Sequence, residues 1–592
     1  MNTVTVRLSS QFQISKPAMH HATKYAATIS KRNIKDCRRF LRAYSTPEAY
    51  EWNRKLGSLV RAGKVGDARN MFDFMPNKDV VSWNTMIAAY FEANDIEESE
   101  RLFGSMPKRS VVSWNCMVSG YMDHGWVDEA LGLFLVMPKR NISSWNAMVS
   151  GMAKHDWFDE AERFFNEMPE RNVISYTAMV DGLARRGDIH RARQLFDSMS
   201  SKNIVSWAAM ISGYVQNGMI VEARKLFDNM PKKSAVAFTV MIMGYCKLGD
   251  VDSAITLFHQ LRQKDIVAWN VMIAGYTHNT LDEEALKLHK RMVILGTKPD
   301  HTTIIVVLTA CSTLTSLQTG RQIHCIAVRR GLDSLTTLSN ALTSMYSKCG
   351  SIVESVGVFL HTELPDLVSW NTIIAVHAQH GFFEKALEKF HELLKQGLKP
   401  DGVTFLSILS ACGHAGMVDE SLAWFDLMVD DYKIPPKAEH LACLADILGR
   451  AGRLEKAYHL ITTIPRQLNL DVDVEFDSGV WGALLAACRV YRNVELGELA
   501  AKKMLELDPT NSGIYVMLSN IYAAAGMWWE VTAVRSAMKE QGVRKQTGCS
   551  WTEIGDTLHM FTGGDVLHPD ICKIHSEIKR ISFHMQDSFK DL

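Results

Sequence analysis

The strongest constraint on the fold of this chain is a sequence repeat with a period of 31 residues. Aromatic residues recur at this step eight times without a slip, and phenylalanines further along each period recur at the same step. A fixed period of this length indicates a solenoid, in which each repeat buries its apolar face against its neighbours. The aromatic series is Trp52, Trp83, Trp114, Trp145, Tyr176, Trp207, Phe238 and Trp269, and the phenylalanines are Phe72, Phe103, Phe134, Phe165, Phe196, Phe227 and Phe258.

Each period has the pattern of a helical hairpin. Trp83, Ile87 and Tyr90 follow one another at i, i+4 and i+7, and a second such pattern surrounds Phe103. Between the two patterns stands a Gly, Asn or Asp, residues that tolerate the left-handed conformation ending a helix. Met-Pro pairs end the second helix, because the residue before a proline is pushed out of helical geometry. The predicted helix stops are Gly63, Asn94, Gly125, Asp156, Gly187, Gly218 and Gly249.

These patterns predict an all-α fold, a right-handed α-solenoid of tandem helix-turn-helix repeats with a concave groove for an extended ligand. From Ile266 the repeats become 31, 35 or 36 residues long, so that about 13 repeats fill residues 49–479. The usual allowance of roughly 150 residues per domain would instead give about four domains for 592 residues. The acidic stretch from Arg466 to Gly479 is interpreted as a solvated loop.

Residues 1–48 have a different composition. Nine Lys or Arg stand against a single acid up to Pro47, together with ten Ser or Thr. This composition predicts an organellar transit peptide, although a basic arm that contacts nucleic acid would have a similar one. The run Arg42-Ala43-Tyr44-Ser45 resembles mitochondrial processing sites and favours the mitochondrion over the chloroplast.

Charge and cysteine usage exclude several functional classes. The chain has 65 basic and 65 acidic residues, which argues against holding polyanions by bulk electrostatics but leaves base-by-base recognition of a single strand open. No apolar run approaches the roughly 18–20 residues of a membrane helix. Eleven cysteines without a CxxC pair indicate neither a disulfide framework nor a zinc ribbon.

The run Val80-Val81-Ser82-Trp83-Asn84-Thr85-Met86-Ile87 and its copies resemble the pentatricopeptide-repeat family. The mixture of 31-, 35- and 36-residue repeats is similar to the plant subclass with short, long and standard repeats. Residues 480–547 resemble the tetratricopeptide-like E extension of plant RNA-editing factors. Residues 548–592 resemble a truncated E+ segment, without the cytidine deaminase domain that follows in fuller members.

Two positions in each repeat carry the candidate binding residues. The resemblance implies that the fifth residue of a repeat and its last residue jointly read the edge of one RNA base. At the last position, Asp, Asn and Ser are also the preferred N-caps of the next helix, so capping alone explains them equally well. Asn at the fifth position is a mediocre helix former and harder to explain in a pure scaffold. The pairs are Asn53 with Asp79, Asn84 with Ser110, Asn115 with Asn141, Asn146 with Asn172, Thr177 with Asn203, Thr239 with Asp265, Asn270 with Asp300, Asn340 with Asp366, and Asn371 with Asp401.

Read with the code of the family, these pairs imply the single-stranded target 5′-UYCCANGUNUU-3′. Ala208 with Ser234 and Ile305 with Leu335 give no base. Apolar second residues, Val81, Val112, Val205 and Val267, are expected to sandwich the bases, with Ser143 a weaker wedge.

No enzyme is expected in this chain. Zinc deaminases need a His-x-Glu followed by a CxxC, and His575-Ser576-Glu577 is followed by no cysteine at all. This motif is interpreted as part of a surface helix. For the whole chain we expect no metal site, no cofactor and no small-molecule substrate.

The resemblance implies an organellar RNA-binding protein that selects a site for C-to-U editing and recruits a deaminase of the DYW type, with other editing proteins, through roughly Val480 to Arg580. Two alternatives stay open. One is a factor for RNA stabilisation, splicing or translation, and the other is a protein scaffold of the tetratricopeptide kind.

Overall fold

The computed structural model of the chain describes residues 47–467, 478–543, 545, 548–554, 557–562 and 571–588. Within these residues, fifteen helical hairpins are followed by two β-strands and one more helix. Except for Pro47 and Glu48, which begin the first helix, the predicted transit peptide lies outside the described residues, as does most of the predicted acidic loop. At the edges of that loop, Arg466 and Gly479 are helical.

The odd-numbered helices are the first helices of the hairpins: α1 (Pro47–Arg61), α3 (Val80–Glu92), α5 (Val111–Asp123), α7 (Ile142–Lys154), α9 (Val173–Arg185), α11 (Ile204–Gln216), α13 (Ala235–Lys247), α15 (Ile266–His278), α17 (His301–Thr313), α19 (Thr336–Lys348), α21 (Leu367–Gln379), α23 (Gly402–Ala415), α25 (Ala438–Arg450), α27 (Ser478–Tyr491) and α29 (Ser512–Ala524).

The even-numbered helices are the second helices: α2 (Val65–Asp73), α4 (Ile96–Ser105), α6 (Val127–Val136), α8 (Phe158–Glu167), α10 (Ile189–Ser198), α12 (Ile220–Asp228), α14 (Val251–Gln260), α16 (Asp282–Ile294), α18 (Leu317–Arg329), α20 (Ile352–Leu360), α22 (Phe383–Lys395), α24 (Val418–Asp426, extended by a π-helical turn Leu427–Asp431), α26 (Leu454–Gln467), α28 (Val494–Leu507) and α30 (Trp528–Glu540). After them come β1 (Cys549–Ile554), β2 (Thr557–Thr562) and α31 (Ile571–Ser588).

The hairpins form two compact units, which divide between Lys298 and Pro299. Within each unit, every first helix packs beside the first helix of the following repeat and against its own second helix. Each unit is therefore a helical solenoid, as the periodicity predicts. The dividing point lies inside the stretch predicted to be one continuous array.

The turns inside the hairpins have the predicted left-handed geometry. All seven residues of the stop series have a positive φ, from 60° at Asn94 to 89° at Gly187. The second helices end where the Met-Pro pairs predict, because Met106, Met137 and Met168 have left helical geometry while their side chains stay buried. Local turn chemistry and periodicity thus specify the same hairpin.

The residues of the 31-residue aromatic series form the contact between successive repeats. The phenylalanine of each second helix meets the aromatic residue of the next first helix edge to face, with ring centroids 5.0–5.2 Å apart from Phe72–Trp83 through Phe258–Trp269. Edge-to-face pairs add roughly 0.5–1.5 kcal/mol each beyond the area that they bury. The same contact recurs in the second unit between Phe359 and Trp370.

The predicted all-α solenoid is confirmed for the repeats, and the structure adds two short strands, β1 and β2, that the prediction does not include. β1 and β2 pair as an antiparallel hairpin, with Cys549 opposite Thr562 and Ile554 opposite Thr557. Both segments are rich in Thr and aromatic residues, which favour strands, and only Gly555 and Asp556 separate them in the sequence. This short alternating segment does not share the helical period of the repeats before it. Among the helices that the structure describes, none has the length and apolarity needed to span a bilayer.

Close packing of neighbouring first helices predicts the effect of adding a methyl group at Gly120. A Cβ built there would lie 2.4 Å from the ring of Phe91 in the preceding repeat. We expect Gly120→Ala to destabilise the protein by about 1–3 kcal/mol through overpacking. The matched control is Gly132→Ala on the second helix of the same repeat, where a Cβ meets nothing within 4 Å. There the helix propensity of Ala should stabilise by about 0.5–1 kcal/mol, so equal shifts of the two variants in chemical unfolding would contradict the packing.

A buried carboxyl at the start of α16 predicts a pH-dependent stability. Asp282 stands where the earlier repeats carry an apolar residue, is 4% exposed, and its Oδ1 has no hydrogen-bond partner. Burial raises the pKa of Asp282 to about 6, against about 3.9 in an unfolded chain. Because the folded state holds the proton more tightly, the stability associated with this group is complete below about pH 4 and is lost as the pH rises through about 6.

We therefore expect Asp282→Asn to stabilise the protein by about 2–3 kcal/mol at pH 7 and to have a much smaller effect at pH 4. Unfolding by urea at the two pH values measures both. An equal effect at pH 4 and pH 7 would show that Asp282 does not titrate in this range.

Candidate nucleic-acid interface

The predicted binding residues lie in a regular place in each hairpin. Numbered from the first residue of a repeat, the fifth residue lies one turn into the first helix. The last residue immediately precedes the first helix of the next repeat. Both positions therefore lie at the N-terminal ends of the first helices, which pack side by side within each unit.

Every Asp, Asn or Ser at the last position of the described repeats caps the following helix. The Asp79 side chain accepts a hydrogen bond from the backbone N–H of Ser82, and the same bond recurs in both units. Leu335 has no such group and makes no side-chain cap. The last residues thus act as helix caps, and each Asp or Asn has a second polar side-chain atom that takes no part in the cap. The capping residues are Asp79, Ser110, Asn141, Asn172, Asn203, Ser234, Asp265, Asp300, Asp366 and Asp401.

Among the described pairs whose two residues lie in the same compact unit, four are joined directly by a hydrogen bond. In each, the amide Nδ2 of the fifth residue donates to a side-chain oxygen of the last residue in the same repeat. The distances are 3.0 and 3.1 Å for Asn53 to the two oxygens of Asp79, 3.2 Å for Asn115 to Asn141, 3.3 Å for Asn340 to Asp366, and 2.9 Å for Asn371 to Asp401. In these four repeats, the two predicted binding residues therefore contact each other directly.

One of these pairs contains a carboxyl group with a shifted pKa. Burial opposes ionisation of Asp366, yet hydrogen bonds from Ser369 and Asn340 outweigh it and hold the pKa of the Asp366 carboxyl below its ordinary value. The carboxylate is therefore charged at neutral pH. This charge lies beside Asn340, the fifth residue of the same repeat.

The remaining fifth residues differ. The hydroxyls of Thr177 and Thr239 donate to the carbonyls of Val173 and Ala235 in their own helices, at 2.6 and 2.8 Å, which leaves their oxygen as an acceptor. The Oδ1 atoms of Asn84 and Asn146 have no hydrogen-bond partner. Asn270 and Asp300 lie in different compact units.

The two repeats without a predicted base also lack a polar fifth residue in the structure. Ala208 is buried, and Ile305 is half-buried. Leu335 is exposed but offers no hydrogen-bonding group.

Beside the polar pairs runs a row of exposed apolar second residues. Val112 is 57% exposed and Val368 is 58% exposed. Ile174, Val205 and Val403 are also exposed, whereas Val81 and Val267 are half-buried and Ser143 is exposed. Exposed β-branched side chains at a fixed place in successive repeats can contact the flat faces of bases.

The structure adds two rows of residues that the sequence analysis does not identify. The third residue of many repeats is a buried Ser or Thr that completes a capping box with the last residue before it, as Ser144 does with Asn141. In the seven repeats up to Asp265, a basic residue precedes the last residue and lies over the phenylalanine of the second helix, and Arg140, over Phe134, also donates to the final carbonyls of that helix. In the repeats before Ile266 both rows recur at the 31-residue step, which is the signal that could have revealed them. The basic row is Lys78, Arg109, Arg140, Arg171, Lys202, Lys233 and Lys264.

His575 and Glu577 lie on α31, and both are exposed, as expected for a surface helix. Among the residues that the structure describes, no group of three or more His, Cys, Asp or Glu side chains is placed to hold a metal ion.

Family models match this architecture repeat by repeat. Models described as PPR repeat match residues 81–111, 112–142, 143–173, 170–200, 205–234, 236–266 and 403–432, and one described as PPR repeat family matches 264–313 and 365–414. Together they cover half of the chain, in step with the hairpins. The chain belongs to the pentatricopeptide repeat family.

The E motif model matches residues 491–553 of this pentatricopeptide repeat protein. The match covers α28, α29, α30 and most of β1. It begins eleven residues after the predicted start of the extension at 480 and extends beyond its predicted end at 547. The mixture of repeat lengths together with an E motif fits the plant subclass with short, long and standard repeats.

Curated relatives from Arabidopsis thaliana share this sequence over about half of the chain. Pentatricopeptide repeat-containing protein At3g57430, chloroplastic, is 40% identical over 50% of this chain and 32% of its own length. Pentatricopeptide repeat-containing protein At5g40410, mitochondrial, is 38% identical over 52% of this chain and 49% of its own length. The chain matches between about a third and a half of the length of these two relatives.

Among solved structures, the pentatricopeptide repeat protein PPR10 from maize aligns over 83% of this chain and 78% of its own, with 17% identity and a TM-score of 0.46. PPR10 in complex with an 18-nt psaJ RNA element aligns over 84% and 79%, with 16% identity and a TM-score of 0.47.

Proposed function

We propose that this pentatricopeptide repeat protein binds single-stranded RNA, one base per repeat, and selects a site for C-to-U editing in an organelle. The observation that carries the proposal is the repeated pairing of a fifth-residue amide with the last residue of the same repeat, beside exposed apolar second residues. An amide offers both donors and acceptors to a base edge. Stacking on the base faces and hydrogen bonding to the base edges together select a sequence.

The proposed target is 5′-UYCCANGUNUU-3′, with its 5′ end at the Ala49 repeat. The fifth and last residues from Asn53 and Asp79 to Asn371 and Asp401 would read it in order. The pairs of this chain, and not the RNA bound by PPR10, define this sequence.

We propose that a separate deaminase is recruited through residues 480–580, which include the E motif. Trp528 and Trp529 at the start of α30 support this, since they are 68% and 84% exposed and large exposed apolar groups mark interaction sites. The chain itself would supply specificity and no catalytic group.

An organellar location is proposed from the basic N-terminal composition and agrees with the names of relatives, some chloroplastic and some mitochondrial. The run from Arg42 to Ser45 favours the mitochondrion.

Sequencing of organellar transcripts from a null mutant tests this function. We expect one or a few C-to-U sites to lose editing, each preceded by a match to the proposed target. If every site is edited as in the wild type while transcript ends or splicing change, the alternative of another RNA-processing role replaces editing.

The charge balance predicts a shallow salt dependence of RNA binding. Without residues 1–47 the formal charge is about −8, because those residues hold nine basic and one acidic side chain. Base contacts then contribute more than phosphate contacts to affinity. We expect a plot of log affinity against log salt to have a slope shallower than about −4, which about six phosphate contacts to a single strand would give. A steeper slope would show that the backbone dominates binding.

A further inference from the structure

The third residue of two repeats reaches across to the fifth residue of the preceding repeat. The hydroxyl of Ser144 lies 2.6 Å from Oδ1 of Asn115, and the hydroxyl of Thr404 lies 2.6 Å from Oδ1 of Asn371. The amide nitrogens of the same two asparagines donate to Asn141 and Asp401. Both the oxygen and the nitrogen of each side-chain amide are therefore hydrogen-bonded.

The single hydroxyl hydrogen of Ser144 has two acceptors within reach, Asn115 Oδ1 at 2.6 Å and Asn141 Oδ1 at 3.0 Å. The shorter contact assigns the hydrogen to Asn115. The hydroxyl of Thr404 likewise lies closer to Oδ1 of Asn371, at 2.6 Å, than to Oδ1 of Asp401, at 2.9 Å. In both repeats the third-residue hydroxyl is a donor to the fifth residue.

We propose that Ser144 and Thr404 are positioning residues that determine base specificity in the preceding repeat, an inference that rests on the proposed RNA-binding function. An asparagine amide rotated by half a turn exchanges its donor for its acceptor. The hydroxyl bond to Oδ1 prevents that rotation. One hydrogen of Nδ2 goes to the last residue, and the second stays available as a donor toward a base.

A fixed N–H donor favours a pyrimidine. Cytosine and uracil both carry the carbonyl acceptor O2 on the base edge, whereas guanine carries an amino donor in the corresponding place. A free amide can turn its oxygen toward that amino group and accept guanine. The third residue thereby controls whether the repeat excludes guanine.

The adjacent repeat offers a matched control. Ser175 forms the same capping box as Ser144, but its hydroxyl donates to the backbone carbonyl of Asn172 at 2.9 Å, and Oδ1 of Asn146 has no partner. Ser144→Ala and Ser175→Ala therefore both remove the hydroxyl that accepts the capping-box bond from the N–H of the last residue. Of the two, Ser144→Ala alone also releases an amide.

The test measures the affinity of the full chain for the proposed RNA with C or G at base three, read by Asn115, and at base four, read by Asn146. At base three the wild type should prefer C by roughly 5- to 150-fold, the effect of one mismatched base. Ser144→Ala should bring that ratio below about 3-fold, in the range of no discrimination. Ser144→Thr should retain the wild-type ratio, and Ser175→Ala should leave the ratio at base four unchanged.

An unchanged ratio at base three in Ser144→Ala would overturn the inference, as would an equal fall at base four in Ser175→Ala. If Ser144→Ala does not fold, Thr404→Val with U or G at base eleven gives the same test at the repeat that holds Asn371. Failure of the proposed function is distinguishable, since the wild type would then bind the proposed RNA no better than a shuffled one.

Discussion

Replacing Asn84, Asn115 and Asn146 together with Ala should weaken binding of 5′-UYCCANGUNUU-3′ by at least roughly 10²-fold, because each lost base contact costs about 1–3 kcal/mol. The three residues occupy the fifth position of consecutive repeats and lie near the N-terminal ends of α3, α5 and α7. None of them caps a helix, and Ala favours helices. The fold should therefore survive while the affinity falls.

The matched control is the triple variant Asn70, Asn166 and Asn229 to Ala. These three asparagines are exposed, and they lie on or at the end of second helices of the same unit. We expect unchanged RNA affinity for this control and equal helical content for both variants by circular dichroism. If the first triple variant retained full affinity, the fifth residues would not read bases and the protein-scaffold alternative would gain support.

Phe134→Ala is expected to destabilise the first unit by about 3–5 kcal/mol, the usual effect of removing a buried phenylalanine. Phe134 is 2% exposed and packs edge to face on Trp145 at 5.1 Å, against Phe164 at 5.5 Å, and under Arg140 at 4.8 Å. The contact joins two successive repeats, so its loss weakens the solenoid at one interface.

Guanidinium unfolding followed by circular dichroism measures this effect. The control is Leu135→Ala, the next residue of α6, whose side chain is 61% exposed and should change stability by less than about 0.5 kcal/mol. Equal destabilisation by the two variants would contradict the assignment of the 31-residue aromatic series to the contact between repeats.

The repeat architecture was predictable because local and global signals agree. The aromatic period is visible in the sequence itself, and the left-handed stop at Gly125 and the end of the second helix at Met137 each follow from residues within one hairpin. The caps at Asp79 and its counterparts follow from the residue types that accept a helix N–H. These features need no knowledge of how one hairpin rests on the next.

What the sequence could not predict depends on packing between repeats. Whether the hydroxyl of Ser144 reaches Asn115, while that of Ser175 stays on Asn172, depends on small shifts between neighbouring first helices. The division between Lys298 and Pro299 is likewise a property of packing, because the series of repeats continues across it in the sequence. The strands at 549–562 were missed because a single short hairpin has no repeat to reveal it.

The same geometry predicts that the repeats differ in how strictly they select a base. Repeats with a held amide, at Asn115 and Asn371, should select bases more strictly than the repeat at Asn146. Repeats with an apolar fifth residue, at Ala208 and Ile305, should tolerate any base. A target site would then show strict and tolerant positions in a fixed order.

The most direct test of the account is the affinity of the full chain for 5′-UYCCANGUNUU-3′ compared with a shuffled RNA of the same composition. We expect binding of the target to be tighter by 10²-fold or more, in the range of several matched bases at about 1–3 kcal/mol each. Substitutions at bases six and nine should change the affinity little. Equal affinity for the target and the shuffled RNA would contradict recognition of one base per repeat by this chain.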